Sequence, residues 1–205
     1  SREVPEGFHA RFSAAGKVYA YVFSNAPASS ALYGRFSAHC PVRLDEAAMD
    51  RAARALVGRH DFTAFQAAGG TAKTFVREMK AARVARRGNL VTFLIYGTGF
   101  LYNMVRICAG TLALVGQGKL AEDCFAQAYA TRSRLSLGYT APAKGLTLVR
   151  VLYPGQEAQG EALAGMDALF GGADAAEFLP DGPELLPPKP LDLTEKPLDG
   201  EENLR

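Results

Sequence analysis

The stretch Phe100–Val115, FLYNMVRICAGTLALV, is the part of the sequence from which the fold is most readily deduced. Gly99 and Gly116 bracket it, as glycines often do at helix ends. Apolar side chains recur in it at intervals of three and four residues, the spacing of one face of an α-helix. These apolar residues are Leu101, Met104, Val105, Cys108, Leu112 and Val115. The sequence therefore predicts a buried helix over Phe100–Val115.

Three polar residues interrupt this apolar helix on one side. Tyr102, Asn103 and Arg106 stand at positions i, i+1 and i+4, away from the apolar residues. A lone arginine usually lies on a solvated face, but on a helix otherwise so apolar we expect its charge to be held inside a cleft. Such a charge needs a partner, because removing one member of a buried ion pair typically costs about 3–5 kcal/mol.

The flanking sequence interleaves strands and helices. Thr74–Arg87 and Leu90–Thr98 are predicted to form a hairpin, with a glycine at the Arg87-Gly88-Asn89 turn. Leu44–Val57 predicts a helix with Asp45 as N-cap and Gly58 as its stop. The other predicted elements are a buried strand at Lys17–Phe23, a helix at Ala121–Ala130 and a strand at Gly145–Tyr153. Together they predict an α+β domain over residues 1–154, with a mostly antiparallel sheet packed with helices.

Charge divides the chain at Pro154. Up to that residue twenty Lys and Arg stand against nine Asp and Glu, and from Gly155 onward three basic residues stand against twelve acidic ones. A basic body suits a polyanion such as RNA, because neutralised phosphates release counterions. An ordinary basic surface would have the same composition. Residues 155–205 are acidic and become Pro-rich, which predicts a largely disordered tail.

The cysteines and the apolar runs indicate the compartment. Cys40, Cys108 and Cys124 are odd in number and far apart, which argues against a disulfide framework and against a zinc site. We therefore expect reduced thiols, a cytoplasmic location and no metal. No apolar run is long enough to span a membrane. The opening segment SREVPEG is typical of the middle of a longer protein.

Five short sequence motifs indicate more about the protein than its composition does. They are FHARFSA at Phe8–Ala14, KVYAY at Lys17–Tyr21, HDFTAF at His60–Phe65, GFLYNMVR at Gly99–Arg106 and APAKGLTL at Ala141–Leu148. Each string alone is weak, and pattern alone indicates only a basic α+β domain. In this order, the five resemble the A family of tRNA pseudouridine synthases over Val4 to Pro154.

The resemblance implies an enzyme that isomerises uridine to pseudouridine in the anticodon arm of tRNA, using no cofactor and no metal. It implies a homodimer in which each subunit has two α+β halves around an RNA cleft, and this chain is similar to the second half. Tyr19 matches the tyrosine that stacks on the target base, and Arg106 matches the arginine that pairs with the catalytic aspartate. The residues expected to contact RNA are Arg11, Lys17, Tyr102 and Asn103.

Some of the other motif residues are assigned structural roles, and the basic residues in and near the hairpin are candidates for phosphate contacts. Tyr21 is assigned to packing, His9 to structure, and Asp61 to the ordering of a turn. The further candidates for phosphate contacts are Lys73, Arg77, Lys80, Arg83, Arg86 and Arg87. About half of the candidates are expected to be ordinary solubilising charges, because the two faces of one hairpin cannot both bind RNA.

The sequence departs from the family at the nucleophile. The family aspartate belongs to an Arg-Thr-Asp-Ala-Gly motif upstream of FHARFSA, and this sequence contains no such motif. Asp45 and Asp50 are expected on a surface helix and Asp123 in a polar turn, so no nucleophile is assigned. We therefore expect an enzyme fragment that is inactive alone. The alternatives are a non-catalytic RNA-binding domain that retains the cleft and a stable remnant without an RNA partner.

Overall fold

The computed structural model describes residues 3–154. In chain order the strands and helices are β1 Gly16–Ser24, β2 Ala38–His39, α1 Glu46–Arg54, β3 Gly58–Asp61, β4 Val76–Arg87, β5 Leu90–Gly97, α2 Met104–Gly116, α3 Cys124–Thr131 and β6 Leu146–Leu152. This is the α+β fold with a mostly antiparallel sheet that the sequence predicts. The tail predicted over residues 155–205 lies outside the described residues.

The sheet is built around β1. One edge of β1 pairs antiparallel with β5 from Lys17 to Ser24. The other edge pairs antiparallel with β6 and then, at Phe23 and Ser24, parallel with the short β2. Beyond β5 the sheet continues through β4 to β3. Both faces of β1 are covered by core residues as well, because Tyr21 belongs to one hydrophobic cluster and Val18 to another, and both are fully inaccessible to solvent.

The β4–β5 hairpin turns where the sequence predicts it, with Gly88 at a φ of 56°. Its ladder also contains an irregularity that the sequence does not reveal. The register shifts between Met79, opposite Gly97, and Ala81, opposite Tyr96. An extra residue reverses the alternation of side chains across a strand. Arg77 therefore shares a face with Arg86, whereas simple alternation along the strand would place it with Arg83 and Arg87.

Helix α2 lies in the main core, against the sheet face that carries Tyr21, Phe23 and Phe93. Eleven of its thirteen residues are buried, and the predicted apolar positions are all among the buried residues of the core. The helix begins at Met104 and not at Phe100 as predicted. The reason is Asn103, whose left-handed backbone (φ 59°, ψ 8°) cannot continue a right-handed helix. Tyr102 and Asn103 consequently lie in the turn before α2.

Helix α1 confirms its predicted cap but is shorter than predicted. Asp45 accepts a hydrogen bond from the backbone N–H of Ala48 at 3.0 Å, as an N-cap should. The helix ends at Arg54, and Gly58 starts β3 with a φ of 111° instead of ending the helix. The buried face predicted for α1 is confirmed, since Met49, Ala52, Ala53 and Leu56 are almost inaccessible.

Asp50 joins α1 to β4. The helix has an exposed face, as predicted, but Asp50 lies on its buried side. Its Oδ1 accepts from the backbone N–H of Val84 at 2.8 Å and from Arg83 Nε at 2.9 Å. Beyond the segment that β3 covers, this N–H lies on a free strand edge and needs an acceptor. A second contact, from Arg86 Nε to Glu46 Oε2 at 2.8 Å, joins the same two elements.

We expect the change Asp50→Ala to lower the free energy of unfolding by about 3 kcal/mol, because it removes the acceptor of the buried Val84 N–H and the partly buried ion pair with Arg83. Urea unfolding followed by circular dichroism measures this loss. Glu122→Ala is the control, since it also removes one carboxylate from an arginine pair, but from the exposed pair with Arg51. Equal losses for the two variants would show that the Asp50 contacts do not hold α1 to the sheet.

Candidate active site around Tyr19 and Arg106

Tyr19 lies on β1, on the same sheet face as Tyr21. Its partly buried ring meets the ring of Phe100 edge to face, with centroids 5.0 Å apart. Burial raises the pKa of Tyr19 above its ordinary value, so the phenol stays protonated at neutral pH. The site therefore contains a neutral aromatic ring that packs against Phe100.

Tyr21 has the packing role that the sequence predicts. The side chain is fully buried, and its hydroxyl donates to the carbonyl oxygen of Pro142 at 2.7 Å. Burial raises the pKa of Tyr21, Tyr139 adds to the rise and the positive charge of Arg106 opposes it. Tyr21 thus ties the segment before β6 to the sheet next to Arg106.

Arg106 extends from the first turn of α2, and two neutral acceptors hold its guanidinium. Nε donates to the carbonyl oxygen of Ala141 at 2.7 Å, and Nη1 donates to Oδ1 of Asn103 at 2.9 Å. The backbone N–H of Ala141 donates in turn to the carbonyl oxygen of Arg106 at 3.0 Å. Within residues 3–154, Nη2 has no hydrogen-bond partner. The arrangement orients the guanidinium and leaves one of its nitrogens available.

The position of Ala141 follows from a close crossing of two backbones. A Cβ atom at Gly110 would clash with the carbonyl oxygen of Tyr139, and one at Gly138 would lie 2.8 Å from the Gly110 oxygen. The N–H of Gly138 donates to the Thr111 hydroxyl at 2.9 Å. Only glycine on both sides permits this approach. The crossing sets Ala141, fully buried, within reach of Arg106.

Tyr102 and Asn103 occupy the turn that precedes α2 and face different environments. The Tyr102 side chain is 56% exposed, while its carbonyl oxygen accepts from the N–H of Ala67 at 3.1 Å. Asn103 is partly buried and directs its amide oxygen to Arg106. Of the residues selected from the sequence, the structure therefore brings Asn103 and Arg106 into direct contact, and leaves Tyr102 accessible beside them.

Lys17 and Arg11 lie further from Arg106 along the chain. Lys17 is the second residue of β1, on the same face as Tyr19 and opposite Gly97 of β5. Arg11 is exposed, and its guanidinium lies 5.5 Å from the centre of the Phe12 ring. His9 has the structural role predicted for it, because its Nδ1 accepts from the backbone N–H of Arg11 at 3.1 Å. Among residues 3–154, no hydrogen bond or ring contact joins Arg11 to Tyr19 or Arg106.

None of the carboxylates in the described part of the chain pairs with Arg106. Asp61 accepts from the N–H and the hydroxyl of Thr63, at 3.0 and 2.6 Å, which confirms the prediction that it orders a turn. These two hydrogen bonds lower its pKa, as does the nearby Arg132. Asp50 is engaged with α1 and β4. Each of these aspartates is thus occupied away from Tyr19.

Sequence reasoning missed Phe100 and Ala141 as parts of the site. Phe100 stands inside the GFLYNMVR string and could have been found there, since an aromatic beside a functional motif is a candidate for supporting a ring. Ala141 acts through its backbone oxygen, so no side-chain pattern could have identified it. The acceptor for Arg106 Nε therefore comes from a residue 35 positions away in sequence.

Other kinds of site are not found near these residues. Residues 3–154 contain no group of three His, Cys, Asp or Glu side chains placed to hold a metal ion. No helix in that range is long and apolar enough to cross a membrane. A cavity of about 590 Å³ lies at the opposite end of β1, where Ser24, Tyr33, Arg87 and Asn89 contribute to its lining.

The sequence compares closely with known proteins along the segment that forms this site. The family model described as tRNA pseudouridine synthase matches residues 52–154. The chain belongs to the tRNA pseudouridine synthase family. The matched segment includes Phe100, Asn103, Arg106 and Ala141, and Tyr19 lies before it.

Individual relatives extend the similarity toward the beginning of the chain. The tRNA pseudouridine synthase A of Ruminiclostridium cellulolyticum is 47% identical over 154 residues, which cover 75% of this chain and 63% of that protein. The enzymes of the same name from Acetivibrio thermocellus and Syntrophotalea carbinolica are each 46% identical, with 63% and 61% of their lengths covered. The chain thus spans less than two thirds of these relatives.

We expect Asn103→Gly and Asn103→Ala both to release Arg106, but to differ in stability. Glycine adopts the left-handed backbone of residue 103 freely, whereas alanine there costs about 1–2 kcal/mol. Nitrogen NMR of the Arg106 guanidinium would show faster rotation about Cζ–Nε in both variants, and urea unfolding would show the larger loss for alanine. Unchanged rotation in the glycine variant would mean that Asn103 does not hold the arginine.

Proposed function

We propose that residues 3–154 form the base-stacking and carboxylate-orienting part of a tRNA pseudouridine synthase. The observation that carries the proposal is the guanidinium of Arg106, fixed by two neutral acceptors and with Nη2 unpartnered within residues 3–154, on the sheet face that carries Tyr19. The substrate is uridine in the anticodon arm of tRNA, and the reaction is an isomerisation. Family membership supports both assignments.

The reaction breaks the bond between the ribose C1′ and uracil N1, turns the base and joins C1′ to C5. A proton then leaves C5 and one is taken up at N1, so the product is an isomer and atoms and electrons balance without an oxidant, a metal or a cofactor. The base must leave its stack to be turned, and a bare aromatic face lowers the cost of this step. We propose that the partly buried ring of Tyr19 stacks on the turned base, and its protonated hydroxyl can donate to the uracil.

Arg106 acts on the carboxylate that attacks the substrate. A carboxylate in a partly dry site tends to take up a proton, because burial disfavours its charged form. A guanidinium in contact keeps it ionised and therefore nucleophilic. Within residues 3–154 the acceptors on Arg106 are neutral, so its charge remains available for this purpose. We propose that the carboxylate comes from outside these residues.

The RNA contacts are proposed for the residues around this centre. Lys17 lies on the face of Tyr19 at the start of β1, and Tyr102 is exposed beside Asn103 and Arg106. Arg11 is exposed on the segment that Tyr153 holds through a hydrogen bond to the Ala10 oxygen at 2.9 Å. A cationic or aromatic side chain that is free at its tip can contact phosphates or bases.

We also propose that the enzyme works in the cytoplasm as a homodimer. The three cysteines are buried and unpaired, which suits a reducing compartment. Leu32 and Phe36 are 81% and 71% exposed on the segment between β1 and β2, and such apolar side chains are suited to a protein contact. Sedimentation of the chain at several concentrations measures its oligomeric state directly.

One observation favours a second function, that of a non-catalytic RNA-binding domain. Within residues 3–154, no carboxylate is found at Arg106, and Asp50 and Asp61 are engaged elsewhere. A domain that keeps the aromatic ring and the cations without a nucleophile would still bind RNA. Binding alone therefore does not distinguish the two functions, and a chemical assay is needed.

We expect Tyr19→Ala to weaken binding of an anticodon stem-loop RNA by at least about fivefold, because base stacking on an aromatic side chain contributes about 1–3 kcal/mol. Tyr19→Phe, which keeps the ring, should bind nearly as well as the unchanged chain. Fluorescence anisotropy with a labelled RNA measures both. If the alanine and phenylalanine variants bind equally well, the base does not stack on Tyr19.

The chemistry is tested by release of tritium from tRNA that carries tritium at uridine C5. We expect no release by the chain alone, and release once it is combined with the part of the Ruminiclostridium cellulolyticum synthase that the chain does not match. Release should disappear with Arg106→Gln in the same mixture, because the carboxylate loses its cation. Tight RNA binding without release in the mixture would favour the non-catalytic domain.

A further inference from the structure

Strand β4 carries several arginines, and their surroundings differ. Arg83 donates from Nε to Asp50 Oδ1 at 2.9 Å, and Arg86 donates from Nε to Glu46 Oε2 at 2.8 Å. Both therefore meet a carboxylate of α1, and their positive charges are locally compensated. Arg77, near the start of the strand, forms no ion pair with any carboxylate of residues 3–154.

The side chain of Arg77 is nevertheless fixed by hydrogen bonds and by packing. Its Nη1 donates to the carbonyl oxygen of Val76 at 2.7 Å and to the hydroxyl of Thr74 at 3.2 Å. Its stem lies against Gly99, where a Cβ atom would be only 3.4 Å from Arg77 Cδ. Burial lowers the pKa of Arg77 below its ordinary value. A partly desolvated cation with only neutral acceptors is suited to receive an anion.

The register of the sheet sets Arg77 on the face that carries Tyr19. Met79, two residues along β4, belongs to the main core, so Arg77 points to the same face. Met79 is paired with Gly97, and Gly97 with Lys17, so Lys17 stands two strands from Met79, and strand geometry sets its Cα atom about 12 Å from that of Arg77. Lys17 also has no ion-pair partner among residues 3–154.

Phe100 links this pair of cations to the candidate site. It follows Gly99, against which Arg77 packs, and its ring contacts Tyr19 at 5.0 Å. A nucleotide whose base lies on Tyr19 would therefore have the phosphates of its own strand within reach of this end of the sheet. Gly97 and Gly99 have no side chains, so neither residue would keep the RNA strand away from Arg77 and Lys17.

We propose that Arg77, assisted by Lys17, forms a phosphate-binding subsite for the RNA strand next to the nucleotide held at Tyr19. The identity of the ligand as RNA rests on the proposed function. Phosphate contacts of this kind fix register and orientation and do not read sequence. The subsite would hold the backbone while the base is turned.

Two measurements test the subsite. The first uses an anticodon stem-loop RNA with the unchanged chain and with Arg77→Gln, at several salt concentrations. Losing one phosphate contact should weaken binding about tenfold in low salt and reduce the slope of log affinity against log salt by about 0.8. Arg59→Gln is the matched control, because it removes the same charge from an exposed arginine on the neighbouring strand β3.

The second measurement needs no variant and no RNA. Inorganic phosphate is added to the unchanged chain, and the Arg77 Nε–H signal is followed by NMR, with Arg59 as the internal reference. A shift of the Arg77 signal that saturates with phosphate supports an anion site even if Arg77→Gln fails to fold.

The outcomes separate the subsite from the proposed function. Equal RNA affinity and salt slope for Arg77→Gln and Arg59→Gln would overturn the subsite while leaving RNA binding intact. The absence of a saturable Arg77 shift would overturn it as well. If the unchanged chain shows the phosphate shift but does not bind the stem-loop, an anion site exists but RNA is not its ligand, and the proposed function fails with that assignment.

Discussion

The candidate site depends on the close crossing of two backbones at Gly110 and Gly138. Because neither residue has a side chain, the segment before β6 lies directly on α2, and the N–H of Gly138 reaches the Thr111 hydroxyl. That contact fixes the carbonyl oxygens of Ala141 and Pro142, which accept from Arg106 and Tyr21 respectively. The segment before β6 thus holds both Arg106 of α2 and Tyr21 of β1 in place.

The burial of α2 explains why the site lies at the start of this helix. The helix is buried on nearly all sides, so a charged residue can be accommodated only where the core ends. Asn103 ends the preceding turn with a left-handed backbone, and its side chain then points back to Arg106. Asn103 therefore both ends the turn and helps to orient the guanidinium.

The sequence predicts the core of this fold better than it predicts the site. The apolar spacing of α2, the cap at Asp45 and the turn at Gly88 follow from local rules, and the structure has all three. The predicted start of α2 was wrong because the helical spacing of apolar residues continues through Asn103, whereas the right-handed helical backbone begins only after it. The inward position of Asp50 was missed because the free N–H that it satisfies belongs to β4, 34 residues away. The bulge between Met79 and Ala81 depends on pairing with β5, so no local sequence pattern predicts it.

The arginines show how surrounding acceptors separate structural charges from available ones. Arg83 and Arg86 are paired with carboxylates, so most of their charge is compensated and their role is to hold α1. The partners of Arg106 and Arg77 in residues 3–154 are carbonyl, amide and hydroxyl oxygens. Neutral acceptors restrict a guanidinium without cancelling its charge, so the charge remains available to an anion that arrives later. The count of basic residues in the sequence cannot make this distinction, because it depends on which acceptor the fold places beside each one.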